Sequence, residues 1–204
     1  MNPSSYQVDL TVVIPTFNEE GNLAECLDPL KGWAREVFVV DSYSTDRTVD
    51  IALSYARYGV QVVQHPYENY AAQWIWSLAE LPLRGAWILN LDADERPTPG
   101  FKTEVEALLA NPGQVEGVYF RREMVFLGKR LIRGGSVNTD LRLWKNGKGS
   151  FEAREVNPHA VVKGPTVHFK NPVLHYNNSK SLSEWLDKHN QYSSWEARER
   201  LKGD

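Results

Sequence analysis

WILNLDADERPTP, residues 87–99, carries an apolar run of Trp, Ile and Leu straight into three carboxylates, Asp92, Asp94 and Glu95. Like charges this close repel and cost stability unless something positive neutralises them. Either the cluster frays into water ahead of the helix that Thr98 and Pro99 open, or it is built to hold a cation. The choice depends on where AWILNL (86–91) sits in the fold, and the preceding segments decide that.

Upstream, the chain alternates between strands and helices. VDLTVVI (8–14) reads as a buried strand, continuous and β-branched, ended by Pro15. Asn18 is placed to cap a helix with Glu19 and Glu20 in its first turn and Leu23, Leu27 and Leu30 on one face. EVFVV (36–40) reads as a second strand and DRTVDIALSYARYG (46–59) as a helix ending at Gly59. VQVVQ, near 61–65, is a third strand, AAQWIWSLAE (71–80) a helix, and AWILNL the fourth strand. Another helix follows through Leu109. The alternation predicts an α/β fold, a mostly parallel sheet with helices on both faces.

Such sheets bind ligands beyond the carboxyl ends of their strands. That edge holds PTFNEE, DSYSTD, HPYEN and DADE. Asp92 and Asp94, two apart at the end of a strand, can turn toward one ligand, and carboxylates with water and phosphate oxygens suit Mg²⁺ or Mn²⁺. A solvated loop ahead of the Thr98 helix is the plainer alternative. Asp41 can accept hydrogen bonds from a nucleobase or ribose, or close an Asx-turn. Asp46 is assigned to the next helix start. Phe17 offers a ring for stacking on a base, and Glu19 either approaches a ribose or starts a helix.

Beyond residue 110 the pattern changes. GVYFRREMVFLGKRLIRGG (117–135), VNTDLRLW (137–144) and KNPVLHY (170–176) read as strands and hairpins, and SLSEWLDKHNQYSSWEARER (181–200) as a C-terminal helix. No repeat, low-complexity tract or linker interrupts the chain, so residues 1–204 are expected to form one domain. Arg121, Arg122, Lys129, Arg130 and Arg133 alternate with apolar residues. They form either a solvated strand face or a surface for anionic lipid or phosphorylated glycan.

Composition narrows the class. With 204 residues, a net charge of −3 and a single cysteine, the sequence gives no electrostatic pull toward nucleic acid and no disulfide framework. Cys26 falls on the Leu23/Leu27/Leu30 face and reads as a packed thiol. The polar start MNPSSYQVDL lacks a signal-peptide pattern, and no run approaches the roughly 18 apolar residues of a membrane span. A cytoplasmic location is expected, with peripheral attachment to the inner membrane surface left open.

VVIPTFNEEGNLAECL, VVDSYSTDRTVDIA and WILNLDADE together resemble the nucleotide-binding half of inverting family 2 glycosyltransferases with the GT-A fold, in matching order and spacing over residues 8–100. DLRLWKNG, VVKGP and NPVLHY extend the resemblance toward bacterial enzymes that add glucose to lipopolysaccharide core heptose. The resemblance implies a nucleotide-sugar-binding half (8–110) and an acceptor-binding half (111–204). It places Pro15, Phe17, Glu19, Asp41 and Asp92 at a uridine-like nucleoside. Asp92 and Asp94 match the D-x-D motif, Asp94 as the direct ligand of Mn²⁺ or Mg²⁺, and His175 is a candidate extra ligand or a hydrogen-bonded core histidine.

Transfer to a hydroxyl needs a base. Asp140 and Glu155 are the two candidates, with Glu152 behind them and Glu155 preferred. Each also has a structural alternative: Asp140 paired with Arg142 or Arg133, Glu155 with Arg154. The stretch Val156, Asn157, Pro158 departs from the Val-His-Glu of similar sequences, which removes a simple catalytic His-Glu pair. Without Q-x-x-R-W or membrane spans, single-sugar transfer to an envelope glycan or glycolipid is expected rather than processive synthesis. Two rivals remain at this point: a polyprenyl-phosphate glycosyltransferase, whose acceptor needs no strong base, and a non-catalytic nucleotide-sugar-binding module.

Overall fold

A computed structural model describes residues 6–131, 137–152 and 159–176, with scattered helical residues between 183 and 197. Among the described residues, twelve strands and four α-helices have defined bounds. They are β1 (Val8–Thr16), α1 (Leu23–Leu27), β2 (Ala34–Asp41), α2 (Thr48–Ser54), β3 (Val60–Gln64), α3 (Tyr70–Glu80), β4 (Trp87–Asn90), β5 (Glu95–Pro97), α4 (Pro99–Ala110), β6 (Gly117–Phe126), β7 (Lys129–Arg130), β8 (Val137–Lys145), β9 (Gly149–Phe151), β10 (Ala160–Val162), β11 (Thr166–His168) and β12 (Val173–His175).

One sheet runs in the order β3-β2-β1-β4-β8-β6-β12-β5, with β7 and β11 also on β6, while β9 and β10 pair separately. The first four strands are parallel, as the alternation predicts. β8 then enters antiparallel to β4, and β6 antiparallel to β8. β6 therefore runs with β4 again, and β12 runs with β6. These directions bring the carboxyl ends of β4 and β12 and the beginning of β8 to a single edge.

Period-2 patterning covers both faces. Leu10, Val12, Ile14, Val37, Val39 and Leu89 face a core that also holds Leu23, Cys26 and Leu27 of α1 and Phe101 and Val105 of α4. Val13, Phe38, Val40 and Ile88 face the opposite way, onto Trp74 of α3 and Trp144 of β8. Cys26 is fully buried, and its thiol pKa is pushed well up by burial and then by Glu95, Asp94 and Asp92. It is a packing group.

Gly85 admits β4 to the sheet: a Cβ there would lie 2.3 Å from the Thr11 nitrogen. Gly59, at φ 86, closes the α2 segment where the sequence places its end. Thr98 Oγ1 accepts from Phe101 N at 3.2 Å, so the expected cap of α4 is present.

Two local expectations are corrected. Asn18 caps no helix: α1 begins at Leu23 after Asn22, and Asn18 sits at φ 51 with its Oδ1 accepting from Thr45 N at 2.8 Å. The Asn side chain bonds across to the next loop, an alternative that short polar side chains always offer. ERP is also a strand rather than loop, because β5 pairs antiparallel with β12. The expected C-terminal helix lies almost wholly outside the described residues, and among the described residues no helix is long and apolar enough to cross a membrane.

Candidate active site

Register explains which side chains meet. Ile88 pairs with Trp144 and Leu89 with Leu143, so continuing the antiparallel ladder sets Arg142 beside Asn90. Phe120 pairs with Asp140 and Arg122 with Asn138, which brings Arg122 to the same edge. On the far side, His175 pairs with Glu95 of β5 and Met124 of β6. Three segments distant in sequence converge on the DADE turn.

Two arginines neutralise the carboxylates. Arg142 Nη1 donates to Asp92 Oδ2 at 3.0 Å, Glu95 Oε2 at 3.4 Å and Asn90 Oδ1 at 3.4 Å. Arg122 reaches Glu95 at 3.5 Å and Asp92 at 3.7 Å, and holds Asp140 at 2.6 Å. Glu95 has no exposed surface, and its Oε2 also accepts from Asp92 N at 2.9 Å, closing the turn. Burial raises the Glu95 pKa, with Arg142 opposing. Burial by itself would lower the pKa of Arg142, but Asp92, Tyr70 and Glu95 push it well up, so the guanidinium stays charged.

His175 Nε2 lies 3.2 Å from Asp94 Oδ2, and Tyr176 N donates to Asp94 O at 2.8 Å. Burial opposes charge on His175, but the Asp94 hydrogen bond and the fields of Asp94, Glu95 and Asp92 raise its pKa above the usual 6.5. Asp92, Asp94, Glu95 and Asp140 thus face the guanidiniums of Arg122 and Arg142 and the imidazole of His175, which lies against Asp94.

That donor set fits a divalent ion. Two adjacent ligands about 2.1 Å from a metal stand about 3 Å apart, close to the observed N–O separation. Among the described residues no three His, Cys, Asp or Glu converge as a ready cage. Mg²⁺-type sites, however, take one or two carboxylates and complete their shell with water and substrate phosphates.

The β1 and β2 loops form the other end of the edge. Asp41 is fully buried, and its carboxylate accepts from Ser44 N at 3.0 Å, from Gln64 Nε2 at 2.9 Å and from the Ser44 hydroxyl. The Asx-turn alternative describes its contacts in the structure. Pro15 pairs with Val40 in the β1–β2 ladder, and Phe17 is 55% exposed. Glu19 N donates to Thr48 Oγ1 at 2.8 Å while its carboxylate accepts from Asn22 Nδ2 at 2.6 Å. Asp46 takes Thr48 N at 3.0 Å, in keeping with its assignment to the α2 start.

The structure therefore gathers Asp92, Asp94, Asp140 and His175 at one place, sets Pro15 and Asp41 at the ends of β1 and β2, and sets Phe17 and Glu19 on the loop after β1. Asp140 does not pair with Arg142; its described partner is Arg122, a diagonal neighbour on one face of the β6–β8 ladder. Glu152, whose N donates to His159 O and whose carboxylate accepts from His159 N, braces the β9–β10 connection. Glu155, Arg133 and Arg154 lie outside the described residues.

Sequence reasoning missed Arg122 and Arg142. For Arg142 a signal existed: Leu-Arg-Leu-Trp sets one charge inside a run that is otherwise buried, and an arginine there needs an anionic partner.

Residues 11–184 match the family Glycosyl transferase family 2. An uncharacterised glycosyltransferase of Rickettsia bellii is 31% identical over 206 residues, covering 95% of this chain and 68% of that one. The lipopolysaccharide core biosynthesis glycosyltransferase LpsC of Rhizobium meliloti is 27% identical over 200 residues, covering 96% and 73%. Among solved structures, residues 1–349 of TarS from S. aureus superpose with a TM-score of 0.59 at 15% identity, over 83% of this chain and 60% of that one. Its complex with UDP-GlcNAc gives 0.50 at 22% identity, over 61% and 38%. The likeness to TarS is one of fold, the GT-A arrangement of a mostly parallel sheet between helices.

Proposed function

This chain belongs to glycosyl transferase family 2, and on that premise we propose that it moves one hexose from a nucleotide sugar, UDP-glucose or a close relative, to a hydroxyl of a bacterial envelope glycan or glycolipid such as lipopolysaccharide core, with inversion and with a divalent metal. The observation that carries the reading is the pair of donors Asp94 and His175, 3.2 Å apart beside Asp92, at the carboxyl edge of the sheet. LpsC, by its name, acts on an acceptor of this class. The TarS complex holds a donor of this class in a like fold. Work at the cytoplasmic face of the membrane, where nucleotide sugars are available, belongs to the same proposal.

In the reaction, the acceptor oxygen forms a bond to the anomeric carbon as the bond from that carbon to the diphosphate oxygen breaks. The hydroxyl proton passes to a carboxylate, and the nucleoside diphosphate leaves with the electron pair. Asp94 and His175 would hold the metal, and the chemistry supplied there by bound Mn²⁺ or Mg²⁺ is neutralisation of charge on the departing diphosphate. Arg142 and Arg122 keep Asp92 and Glu95 in place beside it. Pro15, Phe17, Glu19 and Asp41 shape the nucleoside end. Two N–H groups of Arg122 donate to one oxygen of Asp140, which favours Glu155 as the base.

That pairing of Asp140 also favours a second reading, in which the acceptor is a lipid phosphate that needs no base. Glu155→Gln separates the two: it should abolish transfer to a hydroxyl and leave transfer to a phosphate intact.

The primary test is calorimetric titration with UDP and UDP-glucose, in Mn²⁺ and in EDTA, on wild type and Asp94→Ala. Metal-dependent binding lost in the variant is expected. Binding indifferent to both metal and Asp94 would reduce DADE to a loop held by arginines and remove the chemical basis of the proposal.

A further inference from the structure

Tyr43 sits at φ 60, a left-handed backbone that bulky residues rarely adopt. Asn18 shares that region at φ 51, but asparagine tolerates it and tyrosine does not. Strain of this kind persists only where surrounding contacts over-determine it, and it gathers at ligand sites.

The surrounding contacts are explicit. Ser42 N donates to Thr16 O at 2.8 Å, and Asn18 N donates to Ser44 Oγ at 2.9 Å. Thr45 N donates to Asn18 Oδ1 at 2.8 Å, and Ser44 N to Asp41 Oδ2 at 3.0 Å. The residues on either side of Tyr43 are thus pinned to the residues on either side of Phe17. Phe17 and Tyr43 follow the carboxyl ends of adjacent parallel strands, one residue past Thr16 and two past Asp41. Both rings are more than half exposed, at 55% and 54%. The bonds that hold the loop use Ser42, Ser44, Thr45 and Asp41, and the Tyr43 side chain enters none of them. Among the described residues, the strained backbone presents a ring that takes no part in the bonds holding its own loop.

We infer that Tyr43 is a nucleobase-binding residue, the second wall of a slot whose first wall is Phe17. Two aromatic faces on a ligand-binding edge suit a planar heterocycle, because stacking needs ring area rather than a particular donor–acceptor pattern. Asp41, buried beneath, holds Ser44, whose hydroxyl accepts from Asn18 N across the two loops. The inference rests on the nucleotide-sugar reading and adds to it the residue that grips the base.

The test is calorimetric titration of wild type, Tyr43→Gly and Tyr43→Phe with UDP, GDP and inorganic pyrophosphate, each in Mn²⁺, together with the melting temperature of each nucleotide-free protein. Tyr43→Gly should weaken the preferred nucleotide roughly tenfold, the scale of losing one stacking partner. Pyrophosphate binding should be unchanged, and the melting temperature should hold or rise because the strain is gone. Tyr43→Phe should bind within about twofold of wild type, since the ring remains. Equal nucleotide binding by wild type and Tyr43→Gly would overturn the inference alone. A parallel loss of pyrophosphate would overturn it too, by making Tyr43 a structural support. Wild type that binds pyrophosphate but neither nucleotide would overturn the donor reading and the inference with it.

Discussion

At the β1–β2 end of the binding edge, the buried carboxylate of Asp41 is met by neutral donors, the Ser44 N–H and hydroxyl and the Gln64 amide. At the β4 end, Asp92 and Glu95 are met by full positive charges, Arg142 and Arg122. The first arrangement sets a loop's shape, with donors from Ser44 of that loop and Gln64 of the neighbouring β3. The second ties together β4, β6 and β8 around the DADE turn. Neutral anchoring shapes the end proposed to stack on a base. Ionic anchoring shapes the end proposed to hold the metal.

Removing a charge partner should therefore cost more than removing a neutral one. Arg142→Ala leaves Asp92 and the buried Glu95 short of their main counter-charge, and should lower stability by about 3–5 kcal/mol in urea unfolding. A loss near zero would break the contrast. Asp41→Asn sets an NH₂ group against the donors of Ser44 and Gln64, at a cost of about 1–3 kcal/mol in the same assay.

His175 gives a smaller effect that depends on pH. Its folded pKa is raised by Asp94 above the unfolded value near 6.5, so its contribution is complete below that value and is lost as pH rises through the folded one. The melting temperature of metal-free protein should fall across that window, and His175→Gln should flatten the fall. The smallest effect belongs to an exposed pair. Arg47 and Glu20, 3.2 Å apart at 78% and 44% exposure, should give less than about 0.5 kcal/mol on Glu20→Gln.

Much of the first end was legible in the sequence. Strand–helix alternation located the edge, and continuous β-branched runs marked β1 and β2 as covered on both faces. Asp41 and Asp46 followed from their places just after a strand and just before a helix. The second end was only half legible. Asp92 and Asp94 stand out by spacing, but their partners come from segments 50 residues away for Arg142 and 81 for His175. Only the antiparallel entry of β8 and the pairing of β12 with β6 bring them in. Local periodicity carries no information about such register. The Asn18 helix cap failed for a related reason: a capping residue and a cross-loop bridge have the same short polar side chain, and the neighbouring loop decides between them.

The antiparallel β8 has a consequence for synthesis on the ribosome. The DADE acids emerge well before their counter-charges, since Arg122 trails Glu95 by 27 residues and Arg142 trails Asp92 by 50. A nascent chain that has made β1 to β4 carries a cluster of unneutralised carboxylates at the end of its central strand. It therefore gains its full cohesion only when the β6–β8 hairpin arrives and docks. A fragment stopped at residue 110 should accordingly remain loosely ordered and protease-sensitive. The order in which the polypeptide is made thus places the charged centre among the last parts to lock.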